Sequence, residues 1–383
     1  MELIEFGTIA HIKKGKKPLR QIDHMQDGYF PYVDIEAFET GNVKAYTDGE
    51  KCLACKAGEI LIVCDGSRSG YVGRAIDGYV GSTLAIISAD GMSKEYLYYF
   101  LRGKYALLNT KKRGTGTPHL DQQILFKQKL SVPSIEEQKR IVARIEELFS
   151  ELDNGVETLC KTKQQLAVYR QAVVKSVLDA YCKDAETVKI GDVCHDVKVG
   201  IVIKPTQYYV QSGGVRAFRN ANVRRNYIED NDWAMISQEG HKQNSRSEIH
   251  TGDVLIARSG VNLGMAAAVP EQYNGYNAID VVIAVPKQDM VLPRYLAYYT
   301  NSPYGISSVK RNQRGVAQGH LNITVYGKLP LLLPTIDVQD VIIKEIDARL
   351  SACDNIEKTV DAALQQAEAM RQSILKQAFE GRL

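Results

Sequence analysis

Two stretches of the chain carry the same long apolar rhythm. Residues 135–183 contain no proline, and Ile141, Ile145, Leu148, Leu152, Leu159, Leu166, Tyr169 and Val173 recur there at steps of three, four and seven. Such a seam belongs to a helix that buries one stripe against another helix. Residues 336–383 repeat it through Ile342, Ile346, Leu350, Cys353, Val360, Ala363, Ala367, Met370 and Ile374. The other faces are rich in Glu, Lys, Arg and Gln, as on a helix exposed all round except along its stripe. Ser134 followed by Glu137 predicts a capping box at the first start. A helix of roughly 45 residues is roughly 65–70 Å long at about 1.5 Å per residue, and alone it would leave its stripe wet. The two are therefore expected to pair, antiparallel, because a globular stretch between them can bring the second one back. Gly155 costs the first helix about 1 kcal/mol and is the expected place for a bend.

Ahead of each long helix the pattern changes to short Val, Ile and Tyr-rich runs bounded by Gly, Asp and Ser: EILIVC, YVGSTLAIIS, DVLIA and AIDVVIAV. These predict strands joined by irregular loops. Helical spacing of Tyr and Leu predicts further helices over 93–109 and 292–309. The fold class is α+β: two α/β-mixed domains, 1–134 and 184–335, alternate with two long helices, 135–183 and 336–383, that form a coiled coil.

The halves are copies. A shift of 201 residues lays RGTGTPHL (Arg113 to Leu120) on RGVAQGHL (Arg314 to Leu321) and PSIEEQ (Pro133 to Gln138) on PTIDVQ (Pro334 to Gln339). The register then holds down the long helices, where Ser150, Asp153, Asn154, Gln164, Gln165, Arg170, Gln171 and Lys175 meet Ser351, Asp354, Asn355, Gln365, Gln366, Arg371, Gln372 and Lys376. Earlier segments match at smaller shifts, GEILIVCDG at Gly58 with GDVLIARSG at Gly252 among them. Length changes in loops produce that drift. The result is an internal pseudo-two-fold repeat.

Composition narrows the class. With 383 residues, 44% hydrophobic and 24% charged, the chain reads as a soluble globular protein of two or three domains. Its first residues lack the order of a signal peptide, and no run of about 18 apolar residues could span a bilayer, so a cytoplasmic location is expected. Seven scattered cysteines fit reduced thiols. Cys52, Cys55 and Cys64 have metal-like spacing, but a structural zinc wants four ligands and no fourth is evident, so no metal is expected.

A net charge of +3 says little by itself, and what points to nucleic acid is the clustering of basic residues in the predicted loops. Lys13, Lys14, Lys16, Lys17 and Arg20 form one cluster; Lys111, Lys112 and Arg113, followed by Thr115 and Thr117, form another. The second half has Arg216, Arg219, Arg224 and Arg225 interleaved with Asn220 and Asn222, then Lys310, Arg311 and Arg314 before Gln318. Lys and Arg neutralise phosphate, whereas Arg, Asn and Gln can read base edges with paired hydrogen bonds. The Gly-containing loops GSRSGYVGR, with Arg68 and Arg74, and RSGVNLG, with Asn262, could bring backbone close to a phosphate.

With this plan, GDVLIARSGVNLGMAAAVP, RGTGTPHL, RGVAQGHLN and the helix openings PSIEEQKRIV and PTIDVQDVII resemble the specificity subunit of type I restriction-modification systems over essentially the whole chain. The resemblance implies two target-recognition domains, each reading a few base pairs of an asymmetric, interrupted target, and an antiparallel coiled coil that sets the distance between half-sites. It implies double-stranded DNA and two methyltransferase subunits as partners, and in some systems nuclease subunits. S-adenosylmethionine would be held by the methyltransferases and ATP with Mg by the nuclease. No cofactor is expected on this chain. By position only, the loops around Lys16, Arg68, Thr117, Arg219, Asn262 and Gln318 are candidates for contact. Thr117 stands where the second copy has Gln318, so the two domains should prefer different bases.

Asn301-Ser302-Pro303-Tyr304 is superficially like the Asn-Pro-Pro-Tyr motif of adenine methyltransferases, but serine replaces the first proline and no glycine-rich cofactor loop follows an early strand. A turn ending a helix accounts for it. There is no G-x-x-x-x-G-K-[ST] loop, and His119 and His320 have no Cys or acidic partner within their motifs. Two other readings stay open at this point: a self-sufficient methyltransferase or nuclease with tandem recognition domains, and a coiled-coil interaction protein without a nucleic-acid role.

Overall fold

The apolar runs become strands covered on both faces. In the computed structural model, which describes residues 3–110, 118–313 and 320–383, Ile60–Val63 lies inside an antiparallel sheet ordered Ala10–Lys14, Leu84–Ala89, Ile60–Val63, Val72–Arg74. Side chains alternate along a strand. Ile60 and Ile62 share a core with Leu97, Phe100 and Leu101 of the helix Lys94–Thr110, while Leu61 and Val63 share another with Val33 and Val80 of a second sheet. That sheet is ordered Tyr46–Thr47, Phe30–Val33, Gly78–Val80, Ala54–Cys55, with its middle pair parallel.

The chain divides into two compact units, Met1–Cys160 with Asp361–Leu383, and Lys161–Val360. The second repeats the first with one strand fewer in its smaller sheet. Its larger sheet is ordered Cys194–Val199, Val281–Pro286, Val254–Ala257, Ala266–Ala268, and its smaller one Ala234–Ile236, Val215–Phe218, Asn277–Ala278, the last two parallel. Val254 and Ile256 face Tyr295 and Leu296; Leu255 and Ala257 face Phe218 and Val223. Where the first unit has the strand Ala54–Cys55, the second has a single antiparallel bridge between Glu248 and Asn277.

Two expectations change. Each long apolar run, YVGSTLAIIS and AIDVVIAV, is two strands in two different sheets. Gly15 and Gly200 lie against the crossing points, and a Cβ there would stand 2.3 Å from the carbonyl oxygens of Val80 and Gly81, or 2.4 Å from that of Ala278. The expected helix over 292–309 is two, Pro293–Asn301 and Pro303–Gln313. The Ser302 hydroxyl donates to the Tyr299 carbonyl at 2.6 Å and accepts the Gly305 N–H at 3.3 Å, so the break closes one helix and caps the next.

The long helices are Ile135–Tyr181, which runs through Gly155 without interruption, and Ile336–Phe379. Ser134 Oγ accepts the Glu137 N–H at 3.3 Å. Within the first unit Val142, Ile145 and Phe149 pack with Leu375 and Ala378; within the second, Val174, Val177 and Leu178 pack with Ile342, Ile343 and Ile346. Numbers rise on one helix as they fall on the other, so the pairing is antiparallel in both units. Ile141, Leu148, Leu152, Leu159, Leu350 and Ile374 are half-buried, and Leu166, Val173, Cys353, Val360 and Ala367 are buried.

Tyr169 and Met370 are not seam residues: they are 54% and 45% exposed. The stripe passes instead through their neighbours Arg170 and Arg371, whose stems lie in it and whose charges are paired across it.

A buried glutamine ties each long helix to its own domain. Gln138 donates through Nε2 to the carbonyls of Gly91 and Pro133 and accepts the Ser93 N–H at 2.7 Å; Gln339 makes the same three bonds with Met290, Pro334 and Leu292.

Candidate nucleic-acid interface

The described basic candidates of the first unit lie at several places around its sheets. Lys13 and Lys14 end the strand Ala10–Lys14, and Lys16, Lys17 and Arg20 follow on exposed chain. Lys14 Nζ is 2.7 Å from one oxygen of Asp65, and the His119 ring nitrogen is 2.7 Å from the other. Burial works to raise the Asp65 carboxyl, but the bonds from Lys14 and His119 outweigh it and hold the group below the ordinary aspartate value. Arg20 is 3.5 Å from Asp48. Arg68 is claimed by Glu39 and lies over the Tyr71 ring at 4.6 Å, and Arg74 lies over Tyr98 at 4.2 Å. Lys111, Lys112, Arg113, Thr115 and Thr117 lie outside the described residues.

The loop GSRSGYVGR serves packing as well as exposure. Asn109 donates to the carbonyls of Ser67 and Ser69, and a Cβ on Gly70 would lie 2.7 Å from Leu108. Gly66, with a φ of 109°, faces open space. Burial pushes the Cys55 and Cys64 thiols up to about 12 and about 11, away from the thiolate a metal needs. No group of three metal-ligating side chains is gathered among the described residues.

In the second unit the candidates separate. Asn222 is fully buried, its amide donating to the carbonyls of Glu229 and Asn231 and its oxygen accepting the Arg219 N–H, so this candidate reader is a structural clamp. Asn262 is also buried and donates to the Asn220 carbonyl at 2.9 Å. Arg216 lies beside Trp233 and Tyr276, and Arg224 is 3.7 Å from Glu229. Arg225 and Lys310 line one cavity of about 270 Å³, with Val261 and Asn301. Arg311 folds back on Ser307 and Ser308. Arg314 and Gln318 lie outside the described residues.

Asn220 is the centre of what remains. Its side-chain oxygen accepts the Arg258 N–H at 2.7 Å, its amide reaches Ser259 at 2.9 Å and Asp280 at 3.4 Å, and Arg219 precedes it. The basic clusters of the sequence do not include Arg258. Its signal lies in the copy-to-copy difference, since GEILIVCDG has Cys64 where GDVLIARSG has Arg258. The Arg258 carbonyl accepts the Leu321 N–H at 2.8 Å, as the Cys64 carbonyl accepts the Leu120 N–H at 2.7 Å.

Asn301 of the NSPY segment is engaged in the protein. It donates to Asn226 and to the Ala266 carbonyl and accepts the Ala266 N–H at 3.0 Å, which leaves no free amide edge for a substrate. Among the described residues no helix is long and apolar enough to cross a membrane.

Comparison with known proteins joins these observations. The family model described as the type I restriction modification DNA specificity domain matches residues 1–160 and 182–366. The specificity subunit of the type I restriction enzyme MjaVIII from Methanocaldococcus jannaschii is 23% identical over 402 residues, covering 100% of this chain and 92% of that protein. The EcoBI specificity subunit of Escherichia coli is 24% identical over 407 residues, covering 99% and 85%. For the fold, a chain solved in a study of complex assembly and conformational transition of the type I R-M system aligns over 100% of this chain and 98% of its own length, with a TM-score of 0.70 at 17% identity. The HsdS subunit from Thermoanaerobacter tengcongensis aligns over 100% and 97%, with a TM-score of 0.50 at 17% identity. A duplicated α+β unit with an antiparallel helix pair, matched in both copies by one family model, makes this chain a member of the type I restriction-modification DNA specificity family.

Proposed function

We propose that this chain selects the DNA on which a type I restriction-modification complex works, and performs no chemistry itself. Each unit reads a few base pairs of one half of an asymmetric, interrupted target, and the paired long helices set the distance between the halves. The carrying observation is that one fold occurs twice, with matching sheet order save one short strand and with different side chains at the same corner. Identical corners would suit a symmetric target; Asp65 with Lys14 and His119 in one unit, and Arg258 with Asp280 in the other, suit two different half-sites.

The partners in this reading are double-stranded DNA, two methyltransferase subunits that hold S-adenosylmethionine, and nuclease subunits with ATP and Mg where the host makes them, all in the cytoplasm. A net charge of +3 is small for a duplex binder, so the methyltransferases supply much of the phosphate neutralisation.

The test is fluorescence anisotropy with a pool of randomised duplexes, on the chain alone and with its methyltransferase. The chain alone should bind weakly. The complex should bind tightly, losing on the order of 10³-fold or more between about 50 and 200 mM salt. Absent or salt-independent binding with the methyltransferase present would favour an interaction protein with no nucleic-acid role.

A further inference from the structure

At the end of the buried strand Val254–Ala257 the second unit places an arginine that its own contacts do not satisfy. Arg258 Nη1 is 3.0 Å from Asp280 Oδ1, and the side chain is 20% exposed. Its Nε is cut off from water and meets no acceptor among the described residues. Arg219, on the other side of Asn220, is alike: its Nη2 is 2.8 Å from Asp232, and its Nε is also buried without an acceptor. A buried donor left unpaired costs about 1–3 kcal/mol, so two at one corner point to a role beyond stability.

The corner is braced by hydrogen bonds and carries an exposed loop. Asn220 holds the Arg258 backbone and Ser259, Asn262 holds Asn220, and Asp280 sits in the left-handed region with a φ of 54°. Val261, in the same loop, is 97% exposed. A guanidinium fixed by a carboxylate cannot swing to follow a backbone phosphate, but it suits two acceptors at a fixed spacing. The major-groove edge of guanine, with O6 and N7, is such a pair.

We propose that Arg258, held in place by Asp280, reads one guanine in the half-site served by the second unit, with Arg219 as its neighbour in the groove. The proposal rests on the reading of the chain as a DNA selector. In the first unit Cys64 stands at the position of Arg258, and the adjacent Asp65 is engaged by Lys14 and His119. The effect is therefore confined to one half-site.

The experiment uses the chain assembled with its methyltransferase. The methylated motif is first mapped in wild type, and competitor duplexes then carry 7-deazaguanine, which lacks the N7 acceptor, at one guanine at a time. One guanine, in one half only, should lose about tenfold or more in competition. Arg258→Ala and Arg258→Lys should relax the methylated motif at that same position and leave the other half unchanged. A wild-type complex that methylates no interrupted motif would defeat the DNA-selector reading itself. With that motif present, the guanine proposal is overturned if no guanine is sensitive, if the sensitive one is unaffected by the Arg258 variants, or if those variants weaken all sequences equally, as loss of a phosphate contact would. The 7-deazaguanine series needs no variant, so an insensitive wild-type complex overturns the proposal even where the Arg258 variants fail to assemble.

Discussion

Arg170 of the first long helix lies 2.6 Å from Asp354 of the second. One repeat away, with donor and acceptor exchanged between the helices, Arg371 pairs with Asp153. Each arginine stands 201 residues from the other, as does each aspartate, so the pairing obeys the internal symmetry of the sequence. These pairs lock register more than they add stability, because Asp354 and Asp153 are more than half exposed and water screens them.

Double-mutant cycles on Arg170→Ala with Asp354→Ala, and on Arg371→Ala with Asp153→Ala, should each give a coupling of about 1 kcal/mol or less. Urea unfolding of the four singles and two doubles measures it. The two couplings should be of similar size, and one strong with the other absent would contradict the symmetric register.

The seam shows how far sequence reading carries. Periodicity placed both long helices and most of their stripes, because a 3.5-residue rhythm sustained over many turns matches a paired helix and neither a strand nor a loop. It failed at Tyr169 and Met370, where an apolar side chain stands beside an arginine and polarity alone favours the wrong one. The more buried member is the arginine, since its stem is apolar and its charge finds a partner across the seam. The sheet crossings at Gly81 and Ile279 were hidden for a related reason: a strand buried on both faces reads as one continuous apolar run wherever it changes sheet. Base-reading candidates were hardest, since Asn222 and Arg258 differ in burial and in partners, which local composition does not encode.

Removing either glutamine clamp should be costly. Gln138→Ala and Gln339→Ala each strip three hydrogen bonds from buried and part-buried backbone groups, and a loss of about 2–4 kcal/mol is expected for each. Chemical denaturation checks it; a change under about 0.5 kcal/mol would show that the groups find other partners.

Gly15→Ala and Gly200→Ala should lower soluble yield and stability by about 2–4 kcal/mol, because neighbouring backbone carbonyls 2.3–2.4 Å away leave no room for a Cβ. Gly155→Ala is the control. Its Cβ would meet nothing within 4 Å, and the substitution should stabilise by about 0.5–1 kcal/mol.

Asp65 predicts an acid-dependent difference. Its folded carboxyl lies below the ordinary 3.8, so the stability it contributes is complete above that value and is lost as pH falls through the lower folded one. The stability gap between wild type and Asp65→Asn should be widest near neutral pH and close in acid. Urea midpoints measured across that range would contradict this if the gap widened as pH fell.

The most direct test of the central claim is to map methylated adenines by long-read sequencing in cells that carry the partner methyltransferase with and without this chain. An interrupted, asymmetric motif should appear only when the chain is present. Methylation that is the same without it, or no motif despite a stable complex, would contradict the claim that this chain chooses the DNA.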